Sequence, residues 1–193
     1  MNEWKSSYDL IHSNLQESGI LADCEEILYC VNGDYKEAQD YIKNKNIFLV
    51  NNSVSKYEFP TLNLIKDVCS REDVKILYIH TKGASTGLNQ NIIDWINVMC
   101  YFNVHQYKSN LELLDEFDAI GVDYHTNPFK HFSGNFWWSK SSHINKLPHL
   151  VNEDRHAAER WICSMPGIFK STHETKIPVF ERHLHGYPLS KYR

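Results

Sequence analysis

Short apolar runs alternate with segments of helical periodicity along the first two thirds of the chain. Trp4, Tyr8, Ile11 and Leu15 recur at helical spacing, and Gly19 closes this first helix. Two further helices are predicted, at 60–69 and from about 91 to 117. Apolar runs that predict buried strands lie at 26–31, 46–50, 75–79 and 119–122. This alternation is typical of one α/β domain with a mostly parallel central sheet and helices on both faces.

Polar residues follow every predicted strand, and in open α/β sheets ligands bind at the carboxyl ends of the strands. The four polar segments are 32–34, 51–53, 80–83 and 123–125. The first two are explained equally well as ordinary turns. His80-Thr81-Lys82-Gly83 is harder to explain in this way, because it follows the most apolar strand directly and has no turn residue before Gly83. We therefore expect ligand-binding residues in this segment.

An aromatic segment follows the fourth predicted strand, where residues 126–138 read TNPFKHFSGNFWW. Trp137 and Trp138 are neighbours, so a strand would point them to opposite faces, and we expect one ring to pack inward while the other faces a cleft. Aromatic faces beside Ser, Asn and His suit sugar rings, whose C–H patches stack on the ring and whose hydroxyls bind polar side chains. The alternative is that the rings belong to the core and that Gly134 forms a bulge.

An acidic segment and a histidine pair supply the remaining candidates for chemistry. Asp154 is predicted to cap a helix that carries Glu159, with Glu153 beside it at the helix start. These carboxylates form either a solvated helix start or a general base, and spacing alone favours the solvated start. His183 and His185 share a face in an extended chain, which indicates either a metal or phosphate contact or a tail of mixed polarity.

The composition excludes several classes of protein. Of the 193 residues, 42% are hydrophobic, which is too many for a disordered chain, and a formal net charge of −4 argues against a nucleic-acid binder. No apolar run reaches the roughly 18 residues of a membrane span, and the first residues lack the pattern of a secretory signal. The five Cys are scattered without a Cys-x-x-Cys pair, which predicts reduced thiols. We expect a cytoplasmic protein with no membrane span.

Two motifs resemble a family of small glycosyltransferases from bacteria and large DNA viruses. They are HTKG at 80–83 and HFSGNFWW at 131–138, the second of which is the more specific. Trp95 after HTKG, Ser18-Gly19 at the end of the first helix, and Glu159 two residues before a Trp also match the family pattern. The resemblance covers most of the chain. It implies a single GT-A-like, Rossmann-like domain over residues 1–193.

The resemblance implies transfer of a sugar from a nucleotide-diphosphate sugar, with a UDP-sugar favoured, to a hydroxyl of a glycan or glycoprotein acceptor. Glu159 is the first candidate for the general base and Asp154 the second. The expected donor-binding residues are Asn32, Asp34, His80, Thr81, Lys82, Gly83 and Lys191. The expected acceptor-binding residues are His131, Ser133, Gly134, Asn135, Trp137 and Trp138.

The chain departs from the GT-A pattern at the metal site, where these enzymes usually place Asp-x-Asp and this chain has His80-Thr81-Lys82. Lys82 offers a fixed positive charge for the leaving diphosphate, so no metal would be needed. His80 and His183 offer the alternative of a bound Mn²⁺ or Mg²⁺, and metal dependence stays open. The competing hypotheses are a non-catalytic module that binds a nucleotide sugar or carbohydrate, a metal-dependent hydrolase, and one domain of a larger multidomain transferase. The hydrolase is disfavoured because the chain has no His-Glu-x-x-His motif.

Overall fold

The computed structural model describes residues 4–43, 46–51, 57–83, 87–151, 154, 156–179 and 181–193. The α-helices are α1 (Trp4–Ser18), α2 (Ile20–Asp23), α3 (Tyr35–Ile42), α4 (Phe59–Cys69), α5 (Gln90–Cys100), α6 (Tyr107–Leu113), α7 (Ser141–Ile144) and α8 (Ala157–Trp161). The strands are β1 (Tyr29–Asn32), β2 (Ile47–Asn51), β3 (Lys75–Tyr78), β4 (Ala119–Val122), β5 (Tyr124–His125), β6 (His131–Phe132), β7 (Trp137–Lys140) and β8 (Phe169–His173). A π-helix spans Tyr101–His105, and two 3₁₀ turns span Arg182–Leu184 and Leu189–Lys191.

The central sheet has four strands in the order β3-β7-β4-β8 and is mostly antiparallel. Strand β7 runs antiparallel to both β3 and β4, and β4 and β8 form the one parallel pair of this sheet. The other described strand pairs are β1 with β2, which is parallel, and β5 with β6, which is antiparallel. The chain is therefore a single mixed α/β domain.

The prediction of a mostly parallel central sheet is wrong in its strand pairing. Strands β3, β4 and β8 share one direction, as the alternation with helices predicts, but β7 enters between β3 and β4 in the opposite direction. The reason is the connection. Between β4 and β7 the chain forms only the short β5–β6 hairpin, and a parallel neighbour would need a crossover segment, usually a helix.

Each face of the central sheet is covered by its own hydrophobic cluster. One cluster joins Trp138 to Ile11 of α1, Ile96 of α5 and Val104 of the π-helix. The other joins Trp137 to residues of α4, α7 and α8, among them Leu62, Ile144 and Trp161. The neighbouring tryptophans therefore do point to opposite faces, and both rings fill the core, with 0% and 5% of Trp137 and Trp138 exposed.

The predicted long helical stretch over 91–117 consists of three successive elements, α5, the π-helix and α6, the last of which ends at Leu113. Side-chain donors bind the carbonyls around the π-helix: Asn110 Nδ2 donates to Phe102 O at 2.7 Å, and Trp138 Nε1 donates to Asn103 O at 2.7 Å. The Asn103 side chain donates to Met99 O at 3.0 Å. These bonds satisfy carbonyls that regular α-helical pairing would otherwise use, which stabilises the wider turn.

The thiols and the helices give two further results. All five cysteines are free, and burial raises the pKa of Cys100 and of Cys163 to about 12, so both remain protonated at neutral pH. Within the described part of the chain, no helix combines the length and the apolarity that crossing a membrane requires.

We predict that the free energy of unfolding falls as the pH is lowered below about 6.5, the ordinary pKa of histidine. Burial lowers the pKa of five histidines in the folded state, namely His105, His125, His131, His143 and His173. The unfolded chain then binds more protons than the folded one, so acid favours unfolding. Thermal unfolding at about pH 7.5 and about pH 5.5 measures the effect.

His143→Gln provides the control, because His143 is fully buried and its Nε2 lies 2.8 Å from Ile162 O, a bond that an amide can replace. The variant should lose part of the pH dependence. A midpoint that is unchanged or higher at the lower pH would contradict the prediction.

Candidate functional site

The strand directions bring three chain segments to one edge of the central sheet. Tyr78, at the end of β3, pairs with Trp137, at the start of β7, and Trp137 also pairs with Gly121 near the end of β4. The carboxyl ends of β3 and β4 therefore meet the amino end of β7. His80, which follows β3, and Asn135, which precedes β7, lie at this edge.

A network of polar side chains joins these segments, and we call Glu58, Tyr78, His80 and Asn135 the Glu58 network. The Glu58 carboxylate accepts from Tyr78 Oη at 2.9 Å and from Asn135 Nδ2 at 2.6 Å, both at Oε2. Its Oε1 lies 3.6 Å from His80 Nδ1. His80 Nε2 lies 3.0 Å from Gly134 O on the other side of the ring. The network thus ties the start of α4 to the carboxyl end of β3 and to the segment before β7.

Burial keeps Tyr78 in the protonated form that this network needs. Tyr78 is buried, which raises the pKa of its hydroxyl far above the ordinary value, and the neighbouring Glu58 carboxylate raises it further. The hydroxyl therefore remains a donor to Glu58. Glu58 is absent from the predicted site residues. The sequence feature nearest to Glu58 is Pro60, which marks the start of a helix. From the sequence, Glu58 is therefore interpreted as an ordinary capping residue.

The backbone before β7 adopts the left-handed region at two successive residues, Gly134 (φ 82°) and Asn135 (φ 59°). A Cβ at Gly134 would lie 2.3 Å from Met99 Sδ and 3.0 Å from Trp95 Nε1. The turn aims the Asn135 side chain into the core, where its Oδ1 accepts from Trp137 Nε1 at 3.0 Å. Close packing against α5 therefore accounts for the glycine.

A cleft of about 1800 Å³ runs between β1 and β3 and reaches the Glu58 network. It is lined by the predicted donor residues Asn32, Asp34, His80, Thr81, Lys82 and Gly83, by Glu58, and by the predicted base Glu159. Lys191 lies elsewhere: it is exposed, with Nζ 5.2 Å from the centre of the Tyr187 ring. The structure thus brings together the donor residues apart from Lys191, and it adds Glu58.

Besides His80 and Glu58, three of these lining residues have side-chain contacts that position them. Asn32 Nδ2 donates to Tyr57 O at 2.6 Å, which joins the end of β1 to the residue before Glu58. Asp34 caps α3 by accepting from Glu37 N at 2.9 Å. Lys82 Nζ lies 4.2 Å from the centre of the Trp95 ring, a cation–π contact that holds the ammonium group near the edge.

The two predicted carboxylate bases differ in their surroundings. Glu159 is partly buried, and its Oε2 lies 3.7 Å from His156 Nδ1. Asp154 is exposed and paired with Arg160, whose hydrogen bond holds the pKa of Asp154 below its ordinary value. His156 occupies the cap position predicted for Asp154. Glu153, also named as a candidate, lies outside the described residues.

Helix α8 is linked to the Glu58 network through Asn135. The Asn135 amide lies 3.4 Å from Ala158 O, the carbonyl that directly precedes Glu159 in the chain. Asn135 Nδ2 therefore contacts Glu58 on one side and the backbone before Glu159 on the other. The buried Asn135 amide thus joins one carboxylate, that of Glu58, to the backbone of α8.

The predicted acceptor residues are largely buried, so most of them offer no surface to a sugar. His131, Ser133, Asn135, Trp137 and Trp138 each have 7% or less of their surface exposed. Trp137 belongs entirely to the core, and the expectation that its ring stacks on a sugar does not hold. Trp138 touches the cleft lining but is also core. The aromatic residues of this segment do not indicate a sugar-binding surface, because Trp137 and Trp138 pack in the hydrophobic clusters on the two faces of the sheet.

The C-terminal segment is anchored by a buried ion pair. Arg182 lies against the Asp123 carboxylate, and both residues are almost fully buried. Asp123 also accepts from Thr175 N at 2.7 Å and from Thr175 Oγ1 at 2.8 Å. Asp123, which follows β4, therefore binds the chain's own C-terminal segment.

The residues do not fit the metal site suggested for His80 and His183. His80 Nε2 lies at hydrogen-bond distance from Gly134 O, so this nitrogen serves a carbonyl rather than a cation. His183 is exposed, and its backbone carbonyl accepts from Asn91 Nδ2 at 3.2 Å. Among the residues described by the structure, no group of three or more His, Cys, Asp or Glu side chains could hold a metal ion.

Comparison with known proteins gives one match. A family model described as "Domain of unknown function (DUF8361)" matches residues 6–152. The chain belongs to the DUF8361 family. No curated protein and no solved structure matches the chain. The DUF8361 match includes all four residues of the Glu58 network and ends before Glu159 and α8.

We predict that Gly134→Ala lowers the free energy of unfolding by about 2 kcal/mol more than Gly19→Ala does. Both glycines have a φ near +80°, so both substitutions carry the cost of the left-handed region. A Cβ at Gly19 meets no atom within 4 Å, whereas a Cβ at Gly134 overlaps the buried Met99. Denaturant-induced unfolding of the two variants measures the difference. Equal losses would show that close packing does not require Gly134.

Proposed function

We propose that this protein is a glycosyltransferase that moves a sugar from a nucleotide-diphosphate sugar, with a UDP-sugar favoured, to a hydroxyl of a glycan or glycoprotein. One observation carries the proposal: a single cleft is lined by Asn32, Asp34 and Lys82, suited to a nucleotide and its diphosphate, and by Glu159. The proposal includes a GT-A-like arrangement, and the polar carboxyl edge of an α/β sheet supports it.

In this proposal Lys82 carries the charge that the leaving group needs. An ammonium group held against Trp95 at 4.2 Å presents a fixed positive charge beside the cleft. Such a charge stabilises the negative charge that develops on the diphosphate as the bond to the sugar breaks. Because the residues do not fit a metal at His80 and His183, no step of the transfer is assigned to a metal ion.

Glu159 is the proposed general base. The acceptor oxygen forms a bond to the anomeric carbon, the bond from that carbon to the diphosphate oxygen breaks, and the acceptor proton passes to the Glu159 carboxylate. The electron pair of the broken bond leaves with the nucleoside diphosphate. Glu159 suits this role better than Asp154, because Glu159 lines the cleft while Asp154 is exposed and bound to Arg160.

A non-catalytic nucleotide-sugar-binding module is the second candidate function. The observation that favours it is the burial of Trp137 and Trp138, which leaves the predicted acceptor side without an exposed tryptophan ring. Such a module would bind the donor in the same cleft but would release no product. The two candidates therefore differ in turnover and not in donor affinity.

We predict that one nucleoside diphosphate raises the thermal unfolding midpoint and that the shift persists in EDTA. The diphosphates UDP, GDP and dTDP and the monophosphate CMP are the probes, each with Mn²⁺ and with excess EDTA. A ligand at about 100 times its Kd stabilises the folded state by roughly 2.7 kcal/mol, so a rise of about 5–10 °C is expected. The absence of a shift with every nucleotide would overturn the proposal, and a shift lost in EDTA would overturn the metal-free assignment.

Lys82→Ala should weaken binding of the diphosphate by about tenfold or more and leave the affinity for the nucleoside nearly unchanged. Isothermal titration of both ligands measures this. Lys108→Ala is the matched control, since Lys108 also lines the cleft and also lies over an aromatic ring, that of Tyr107. Equal weakening of nucleoside and diphosphate by Lys82→Ala would assign Lys82 a structural role.

We predict that Glu159→Gln lowers transfer by about a hundredfold or more while donor affinity is unchanged, because the amide accepts no proton. Release of the nucleoside diphosphate, with water or a glycan mixture as acceptor, is the assay. Asp154→Asn is the control and should retain activity. Turnover that survives Glu159→Gln would move the base elsewhere, and binding without turnover in the unmodified protein would favour the binding module.

A further inference from the structure

Glu58 occupies the capping position of α4 without capping the helix. Its carboxylate makes no hydrogen bond to the first backbone N–H groups of α4 and instead reaches Tyr78 and Asn135 at the sheet edge. Three-quarters of the side chain is removed from solvent. Burial of a carboxylate is unfavourable unless donors compensate it, and for Glu58 the hydroxyl of Tyr78 and the amide of Asn135 supply those donors.

The two carboxylate oxygens of Glu58 are used unequally. Oε2 accepts from both Tyr78 and Asn135, which occupies its two lone pairs. Oε1 has no donor at hydrogen-bond distance among the described residues, and His80 Nδ1 lies 3.6 Å away. The Glu58 network therefore fixes the carboxylate through one oxygen and leaves the other for a ligand in the cleft that Glu58 lines.

Glu58 lies between the two ends of the proposed donor site. On one side, Asn32 Nδ2 binds the carbonyl of Tyr57, the residue directly before Glu58. On the other side, Glu58 faces His80, which precedes Lys82 by two residues. In a nucleoside diphosphate the ribose lies between the base and the phosphates. A base near Asn32 and a diphosphate near Lys82 would therefore place the ribose at Glu58.

We propose that Glu58 Oε1 accepts hydrogen bonds from the ribose 2′- and 3′-hydroxyls of the donor, which selects ribonucleoside-diphosphate sugars over their 2′-deoxy counterparts, dTDP-sugars included. This inference rests on the proposed function. A charged acceptor suits a vicinal diol, because both hydroxyls donate and one carboxylate oxygen has two lone pairs. Tyr78 and Asn135 are positioning residues in this proposal, since both donate to Oε2 and so hold the carboxylate.

The test compares matched pairs of nucleotides that differ in one hydroxyl. UDP, GDP, ADP and CDP are titrated beside their 2′-deoxy forms, with binding measured by calorimetry. The unmodified protein should bind its preferred ribonucleotide about tenfold or more tightly than the deoxy partner, since a hydrogen bond to a charged group is lost. Glu58→Gln should bring this ratio close to one, chiefly by weakening the ribonucleotide.

Glu72→Gln is the matched control, because Glu72 lines the same cleft before the amino end of β3, and it should leave the ratio unchanged. If Glu58→Gln does not fold, Glu58→Asp takes its place: it keeps the charge, withdraws the carboxylate by one methylene and should also lower the ratio. Equal binding of ribo and deoxy partners by the unmodified protein would overturn the inference alone. No binding of any nucleotide would overturn the proposed function as well.

Discussion

The side-chain amide of Asn135 is buried between three elements, and each of its ends is occupied. Its nitrogen donates to Glu58 at the start of α4 and lies near Ala158 O in α8, and its oxygen accepts from the Trp137 indole. Leaving this buried amide without hydrogen-bond partners would cost about 1–3 kcal/mol of stability. The need to satisfy the amide therefore fixes Glu58, Ala158 O and the Trp137 indole relative to one another. The position of Glu58 relative to the backbone of α8 at Ala158 follows from this requirement.

Strand β7 makes that arrangement possible because it runs against the direction of its neighbours. Its amino end lies beside the carboxyl ends of β3 and β4, so the turn at Gly134 and Asn135 enters the edge where ligands bind in α/β sheets. The same reversal puts Trp137 and Trp138 in the middle of the sheet, one on each face. The high aromatic content of this segment therefore serves the core, while Asn135 joins the Glu58 network.

The sequence predicts the elements whose pattern is local. Helices α1 and α4 and strands β3 and β4 lie where periodicity and apolar runs place them. The direction of β7 and the π-helix are missed, since both depend on contacts between residues far apart in the chain, such as Trp138 with Asn103. The candidate site likewise contains residues that local motifs predict and a residue that they do not. Lys82 and Glu159 stand in recognisable motifs, whereas Glu58 gains its surroundings from Tyr78 and Asn135, 20 and 77 positions further on.

The π-helix between α5 and α6 determines how the inward face of α6 is rotated relative to that of α5. A π-turn contains about one residue more than an α-turn, and each residue of an α-helix accounts for about 100° of rotation. The extra residues in 101–105 therefore rotate the inward face of α6 relative to that of α5. Trp95 and Met99 face the Gly134 turn from α5, while Asn110 reaches back from α6 to the carbonyls of 102 and 103. The number of residues in this segment is consequently constrained. Inserting or deleting one residue would turn the inward face of α5 or of α6 away from the core.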